Sequence, residues 1–209
     1  MALNEETDID VKKIFSSATN LRLFLSRASR YDVSSVDELQ ELYKRRAMPV
    51  EEVLSRMHKY SDKRVATAMF SSCPSSIRLY KYIKYDELYA LYDDEAKEML
   101  VCPGHDYNDW GLLNIGSNIA AAYFDNSNPE IEDKYFLGEC VGYLLTKKYG
   151  RKVSHEMFPR HSLDGYSAMK PEELKVKLDS ILSCCNKLLE QIDNHLVIVD
   201  HQKRLEYER

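Results

Sequence analysis

The chain has 209 residues, of which 44% are hydrophobic and 30% are charged, and this balance is typical of an ordered globular protein and not of a disordered chain. The formal net charge of −5 argues against a protein whose main role is to coat nucleic acid, because that role needs a basic surface. Glycines and prolines number only seven and six, which favours long helices over a β-sandwich or barrel with frequent turns.

The cellular compartment is indicated by three features of the sequence. The first six residues, MALNEE, carry acidic side chains and no apolar run, so no secretory signal is expected there. No apolar stretch approaches the roughly eighteen residues that a membrane span requires. The five cysteines are scattered and contain no C-x-x-C pair, which indicates reduced thiols. We therefore expect a cytoplasmic protein without a membrane partner.

Helix signals mark the first part of the chain. Residues 8–29 carry two apolar runs that predict a broken helical stretch. Ser35 and Glu38 form a capping box of the S-x-x-E type at the start of the next helix. Pro49 suits the first turn of a further helix that ends near residue 60. These two helices predict a helical hairpin over residues 35–60.

The segment 76–92 has an unusual composition. It contains five of the fifteen tyrosines of the chain, namely Tyr80, Tyr82, Tyr85, Tyr89 and Tyr92. Its first half alternates like a strand, whereas the tyrosines of its second half repeat like a helix. The pattern predicts at most a minor β element near residues 77–84 and a helix over residues 86–99.

Three roles are open for this tyrosine-rich segment. Its rings could form an amphipathic wall with buried bodies and solvated hydroxyls. It could be a protein interface, because Tyr and Arg are enriched at such sites, and the interface residues would then include Tyr80, Tyr82, Tyr85 and Tyr89. It could also bind single-stranded nucleic acid by base stacking, in which case the basic residues involved would be Arg78, Lys81 and Lys84.

Two helices are predicted in the middle of the chain. The first covers about residues 111–124. The second covers residues 129–149, with Asn128 as the N-cap, Pro129 at the first helical position and Gly150 just past the end.

The second of these helices carries two glycines on one face. Gly138 and Gly142 are four residues apart, and each lowers helix stability by about 1 kcal/mol relative to alanine. Glycine lets two backbones approach closely. We therefore expect another helix to cross this face at short distance.

A long amphipathic helix is predicted over residues 171–205, opened by Pro171. Its apolar residues recur at steps of four and three, at Leu174, Leu178, Ile181, Cys185, Leu188, Ile192 and Leu196. Such a seam must be covered. Either helices of the same chain cover it, or a partner or second copy does so, and in that second case Leu178, Leu188 and Ile192 are interface residues.

Loop histidines are the candidates for chemistry. His155 and Glu156 precede His161, but the zinc-protease motif H-E-x-x-H fails, because the second histidine comes two residues too late. His105 and Asp106 would add metal ligands or an acid–base pair if folding brings them close to the other three groups. Solvent-exposed histidines in polar loops are the simpler interpretation. No nucleotide-binding or hydrolase motif occurs, and we expect no cofactor and no metal centre.

The sequence thus predicts an all-α protein, a helical bundle closed by a long C-terminal helix. Residues 1–62 would form an N-terminal helical subdomain and residues 63–209 the main domain, unless the chain is a single domain. We expect a non-enzymatic protein-interaction module, an adaptor, inhibitor or regulatory subunit, that acts through helix faces and the tyrosine-rich segment on a protein partner or a second copy. The alternatives are a metal-dependent hydrolase or nuclease that uses the loop histidines, and a single-stranded nucleic-acid-binding protein.

Overall fold

A computed structural model of the chain describes residues 9–49, 56, 59–81, 89–102 and 107–207, with side chains up to residue 198. Helices account for most of these residues, and the three strands found among them form one small sheet. The prediction of a mainly helical fold with a minor β element is confirmed. None of the described helices combines the length and apolar character that a membrane crossing needs.

The elements follow one another along the chain in the order α1 (Val11–Phe15), α2 (Ala18–Ala28), α3 (Val36–Lys44), α4 (Asp62–Ser71), β1 (Arg78–Lys81), β2 (Ala90–Asp93), β3 (Glu98–Val101), α5 (Asp109–Ser127), α6 (Lys134–Lys148), α7 (Asp164–Ser167) and α8 (Pro171–Tyr207). The predicted cap of α3 is confirmed, because the Ser35 hydroxyl accepts the Glu38 backbone N–H at 3.2 Å. The second helix of the predicted hairpin, residues 49–60, falls mostly on positions 50–55, 57 and 58, which lie outside the described residues.

The helices α5 and α6 form the buried centre of the molecule, and glycine lets them touch. A Cβ atom at Gly138 would lie 2.8 Å from the backbone nitrogen of Ala121. A Cβ atom at Gly142 would lie 2.6 Å from the backbone nitrogen of Ser117 and 2.8 Å from the Leu113 carbonyl oxygen. The predicted close crossing at these glycines is confirmed.

The start of α6 differs from the prediction. It begins at Lys134, whereas Asn128 ends α5 and donates its backbone N–H to the Phe124 carbonyl at 2.8 Å. The Asn128 side chain also accepts the Glu130 backbone N–H at 3.2 Å. Asparagine and proline suit turns as well as helix starts, so Asn128 and Pro129 belong to the connection. The predicted C-terminal end is confirmed, with Gly150 at φ 77°.

The sheet has the strand order β1–β3–β2, with β1 parallel and β2 antiparallel to β3. The predicted helix over residues 86–99 is therefore wrong, because β2 and the start of β3 occupy its described part. Turn chemistry explains the difference: the Asp93 carboxylate accepts the backbone N–H groups of Glu95 and Ala96 at 3.0 and 2.9 Å, and Lys97 has φ 54°. These contacts close a hairpin. The predicted minor β element near residues 77–84 is confirmed as β1.

The helix α8 matches the predicted C-terminal helix and lies along the other helices. It packs on α6 and α4, and less extensively on α1, α5 and α3. Every member of its apolar seam is buried, from Leu174 to Leu196. The seam is therefore covered within the same chain, and its side chains join one hydrophobic cluster with those of the N-terminal helices.

Candidate functional site

The sheet exposes one face, here called the outer sheet face. The strand register aligns Tyr80 with Leu100 and Leu100 with Leu91, and residues aligned across neighbouring strands project from the same face. Tyr80 and Leu91 are 43% and 44% exposed, and Leu100 is half-buried. These three side chains form an apolar row across β1, β3 and β2.

A charged row lies beside the apolar row on the same face. The register aligns Arg78 with Glu98 and Glu98 with Asp93. The Arg78 guanidinium pairs with the Glu98 carboxylate at 2.8 Å and lies 5.9 Å from the centre of the Tyr80 ring. One cation and two carboxylates give this row a net negative charge.

The sheet is fixed to the helical body along the edge of β2. The Asn114 side-chain oxygen accepts the Tyr89 and Ala90 backbone N–H groups at 3.2 and 2.8 Å. The Asn118 side chain accepts the Tyr92 N–H at 2.9 Å and donates to the Ala90 carbonyl at 3.1 Å. An edge strand presents unpaired backbone groups that must be satisfied, and these two amides on α5 satisfy them.

A buried carboxylate fixes the inner face of the sheet. Asp125 on α5 is 1% exposed and accepts hydrogen bonds from the Tyr92 hydroxyl and the Lys97 and Lys134 ammonium groups. Burial acts to raise the pKa of Asp125, but the hydrogen bonds from Lys97, Tyr92 and Lys134 outweigh it and lower that pKa to about 2. Burial and the bond to Asp125 raise the pKa of Tyr92. Near neutral pH Asp125 is therefore ionised while Tyr92 keeps its proton, and the hydrogen bond between them anchors the sheet.

A pocket of about 230 Å³ opens next to β2, here called the Glu139 pocket. Its lining residues are Ala90, Leu91, Asn114, Ser117, Asn118, Tyr135, Glu139, Arg160 and His161. The Glu139 side chain on α6 is 2% exposed, and its carboxylate lies 2.8 Å from Nδ1 of His161. The pocket thus contains an imidazole held by a buried carboxylate.

The structure does not bring the candidate catalytic and metal-binding residues of the loops together within the described part of the chain. His155 and Glu156 are 75% and 83% exposed and lie 3.9 Å apart, whereas His161 is bound to Glu139. His105 and Asp106 lie outside the described residues. Within the described part of the chain, no group of three or more His, Cys, Asp or Glu side chains could hold a metal ion. The described residues therefore give no support to a metal centre at the loop histidines.

The predicted interface residues have different environments. Tyr80 is exposed on the outer sheet face, and Tyr89 is half-buried with its ring centroid 5.8 Å from that of Tyr107. Tyr82, Tyr85 and the predicted nucleic-acid contact Lys84 lie outside the described residues. The other two predicted nucleic-acid contacts, Arg78 and Lys81, are exposed.

The three predicted interface residues on α8 lie in the core. Leu178 and Leu188 are fully buried and Ile192 is 1% exposed. They have no surface to offer a partner, because helices of the same chain already cover them. The assignment of Leu178, Leu188 and Ile192 to an intermolecular interface is therefore corrected.

Comparison with known proteins gives no family for this chain: no family model, curated protein or solved structure matches it.

Sequence reasoning missed the polar residues that build both sites. Glu139 is a single carboxylate in the otherwise apolar run LGECVGYLL, and Asn114 and Asn118 are spaced by four in the mostly apolar run LLNIGSNIAAA. Residues spaced by four share one face of a helix. A polar group in a buried helix needs a partner, so these positions carry a signal that could have identified them.

Proposed function

We propose that this protein is a non-enzymatic interaction module of the cytoplasm, an adaptor, inhibitor or regulatory subunit, that binds another protein through the outer sheet face. The observation that carries the proposal is the apolar row of Tyr80, Leu100 and Leu91, which stays partly exposed across β1, β3 and β2. Exposed apolar side chains grouped in one patch are typical of binding surfaces, and tyrosine is enriched among residues that dominate binding energy.

The hydrogen bonds that hold the sheet on the helices favour this function. The amides of Asn114 and Asn118 hold β2, and Asp125 holds the inner face through Tyr92. A surface that is fixed before binding loses less conformational entropy when a partner arrives. The outer sheet face is therefore suited to direct docking of a folded partner.

The charges beside the row favour a particular class of partner. Arg78 is already paired with Glu98, and Asp93 leaves the charged row with a net negative charge. Two copies stacked face to face would bring like charges together, which opposes association. A nucleic-acid strand would meet the same repulsion. The best match is a different protein that presents an apolar surface bordered by lysine or arginine.

Two substitutions on the outer sheet face test this function. Leu91→Asp and Tyr80→Asp each place a carboxylate in the apolar row, at positions exposed enough for the fold to tolerate it. Tyr80 is included because Leu91 also lines the Glu139 pocket, whereas Tyr80 does not. The matched control is Val176→Asp on α8, where the side chain is 63% exposed.

Tagged forms of the protein are recovered from cells of its own source, and the co-purifying proteins are quantified by mass spectrometry. We expect one protein to be recovered in near-equal amount with the wild type and the control, and at least about tenfold less with both row variants, because an unpaired carboxylate buried at an interface costs more than about 1.4 kcal/mol. Equal recovery with all four forms contradicts the proposal. Dissociation of a homodimer by both row variants would assign the surface to a second copy instead.

A further inference from the structure

Residues 158–161 hold two basic side chains at the Glu139 pocket. Phe158 is fully buried, and its ring centroid lies 4.7 Å from that of Tyr143. The Glu139 carboxylate accepts the Arg160 backbone N–H at 2.8 Å and lies 2.8 Å from Nδ1 of His161. One buried carboxylate therefore fixes both the path of this loop and the orientation of the imidazole ring.

Arg160 and His161 keep polar atoms available for a ligand. The Arg160 guanidinium lies 4.6 Å from the centre of the Trp110 ring, and its Nε is 3.5 Å from Glu139. The side chains of Arg160 and His161 are 47% and 46% exposed. Among the described residues, no side chain or backbone group is hydrogen-bonded to Nε2 of His161 or to the Nη atoms of Arg160.

The other polar walls of the pocket are already occupied. Asn114 and Asn118 are bonded to the backbone of β2, and the Tyr135 hydroxyl donates to Asp94 at 3.0 Å. The groups that remain for a ligand are therefore the guanidinium and the imidazole. The guanidinium favours an anion, and Nε2 of the imidazole can donate or accept a hydrogen bond according to the charge of the ring.

From this arrangement we infer that the Glu139 pocket binds the phosphate group of a small ligand. Arg160 and His161 contact the phosphate, and Glu139 is a positioning residue that acts through both. The volume of about 230 Å³ is below the range of about 300–1,000 Å³ typical of sites for larger ligands, which suits a group of few atoms. This inference is independent of the proposed interaction function.

The protonation chemistry favours phosphate over carboxylate. A guanidinium can donate two parallel hydrogen bonds to either group. A phosphate monoester has a second pKa of about 6, so near neutral pH it can accept a hydrogen bond from a charged imidazole or, in its protonated form, donate one to Nε2 of a neutral imidazole. A carboxylate is fully ionised at that pH and can only accept. Phosphate therefore fits His161 in both protonation states of the ring.

The test is a titration of the full chain with inorganic phosphate, monitored at Trp110. This is the only tryptophan of the chain and lies against Arg160, so its indole N–H resonance and its fluorescence report on the pocket. We expect a saturable change in the wild type and an affinity at least about tenfold lower in Arg160→Gln and in His161→Gln, because each variant loses a charge-assisted hydrogen bond.

The matched control is Arg78→Gln, which removes an exposed arginine that also pairs with a carboxylate and also lies over an aromatic ring. It should bind phosphate as the wild type does. Arg160→Lys, which keeps the charge and loses the paired donors, should bind with intermediate affinity and serves if Arg160→Gln does not fold.

Three results would overturn the inference. The first is no saturable response of the wild type to phosphate at constant ionic strength. The second is an equal loss of affinity in Arg78→Gln and Arg160→Gln, which would indicate an adventitious ion only. The third is an equal affinity for acetate, which would assign the pocket to carboxylates. None of these results bears on Tyr80→Asp, so failure here and failure of the interaction proposal are distinguishable.

Discussion

Gly142 lies where α6 passes closest to α5, and the space for a side chain there is taken by the backbone of Ser117 and Leu113. We expect Gly142→Ala to lower the free energy of unfolding by a net amount of about 1–3 kcal/mol, because the two helices must separate. This steric cost outweighs the gain in helix propensity of about 1 kcal/mol. Urea denaturation measures the difference.

The matched control for Gly142 is Gly165 in α7. A Cβ atom at Gly165 would meet nothing within 4 Å, so Gly165→Ala should not lower the free energy of unfolding, and its helix propensity can raise it by up to about 1 kcal/mol. If both variants were equally stable, the close approach of α5 and α6 would not be a constraint on the fold.

Asp125 links the sheet to the helices and makes stability depend on pH. Its pKa in the folded protein is about 2, below the ordinary value of 3.8, so the folded state favours the ionised form. The resulting stabilisation is fully present above pH 3.8 and is lost as the pH falls through 2. It amounts to about 2 kcal/mol.

Comparison with Asp125→Asn isolates this effect. The variant has no carboxylate to titrate, so the difference in unfolding free energy between wild type and variant should shrink by about 2 kcal/mol between neutral pH and about pH 2. Denaturant titrations at a series of pH values measure it. A difference that stays constant over this range would show that the bonds from Tyr92, Lys97 and Lys134 do not depend on the charge of Asp125.

At the scale of elements, the attachment of β2 to α5 depends on two amides. Asn118 accepts the Tyr92 N–H and donates to the Ala90 carbonyl, so Asn118→Ala leaves two backbone groups of β2 without their partner. We expect a loss of about 1–3 kcal/mol in the free energy of unfolding. Amide hydrogen exchange at Tyr92 should become faster, while exchange in the core of α6 should change less.

Asn126 on the same helix is the matched control for Asn118. It is exposed, and its side-chain oxygen accepts a hydrogen bond from the Ser76 hydroxyl at 2.6 Å. Asn126→Ala should lower stability by no more than about 0.5 kcal/mol and leave the exchange of Tyr92 unchanged. Unchanged exchange of Tyr92 in Asn118→Ala would refute the role of this amide in holding the strand.

Several helices and strand β1 could be predicted from local signals, whereas strands β2 and β3 could not. The cap at Ser35, the glycine at residue 150 and the seam of α8 depend on neighbouring residues, and each is found where the pattern placed it. Strands β2 and β3 form a hairpin through the turn at Asp93. Strand β3 also pairs with β1, whose residue Arg78 lies twenty positions before its partner Glu98. Such non-local pairing leaves no periodic trace in a four-residue strand.

The candidate sites were less predictable than the fold for the same reason. His161 was a candidate from its residue type, but its partner Glu139 is twenty-two residues away on another element. Tyr80 belongs to the tyrosine-rich segment, yet its neighbours in the apolar row, Leu91 and Leu100, become its neighbours only through the strand register. The sequence could identify candidate residues by their type, but only the folded structure shows which of them lie next to one another.

At the scale of the whole molecule, the helical body and the sheet have different roles. The apolar seam of α8 is buried by other helices of the same chain, so this face of the long helix belongs to the hydrophobic core. The sheet is tied to this body on its inner face and along β2, and its apolar row stays partly exposed. We therefore propose that the outer sheet face, and not a face of α8, meets the partner.

Site-specific photo-crosslinking in cells of the protein's own source can distinguish these two surfaces. A photoreactive amino acid replaces Leu91 in one form and Val176 in another, two exposed positions on the sheet and on α8. We expect a discrete cross-linked protein from position 91 that is absent from position 176. Cross-linking at position 176 alone, or at neither position, would contradict it.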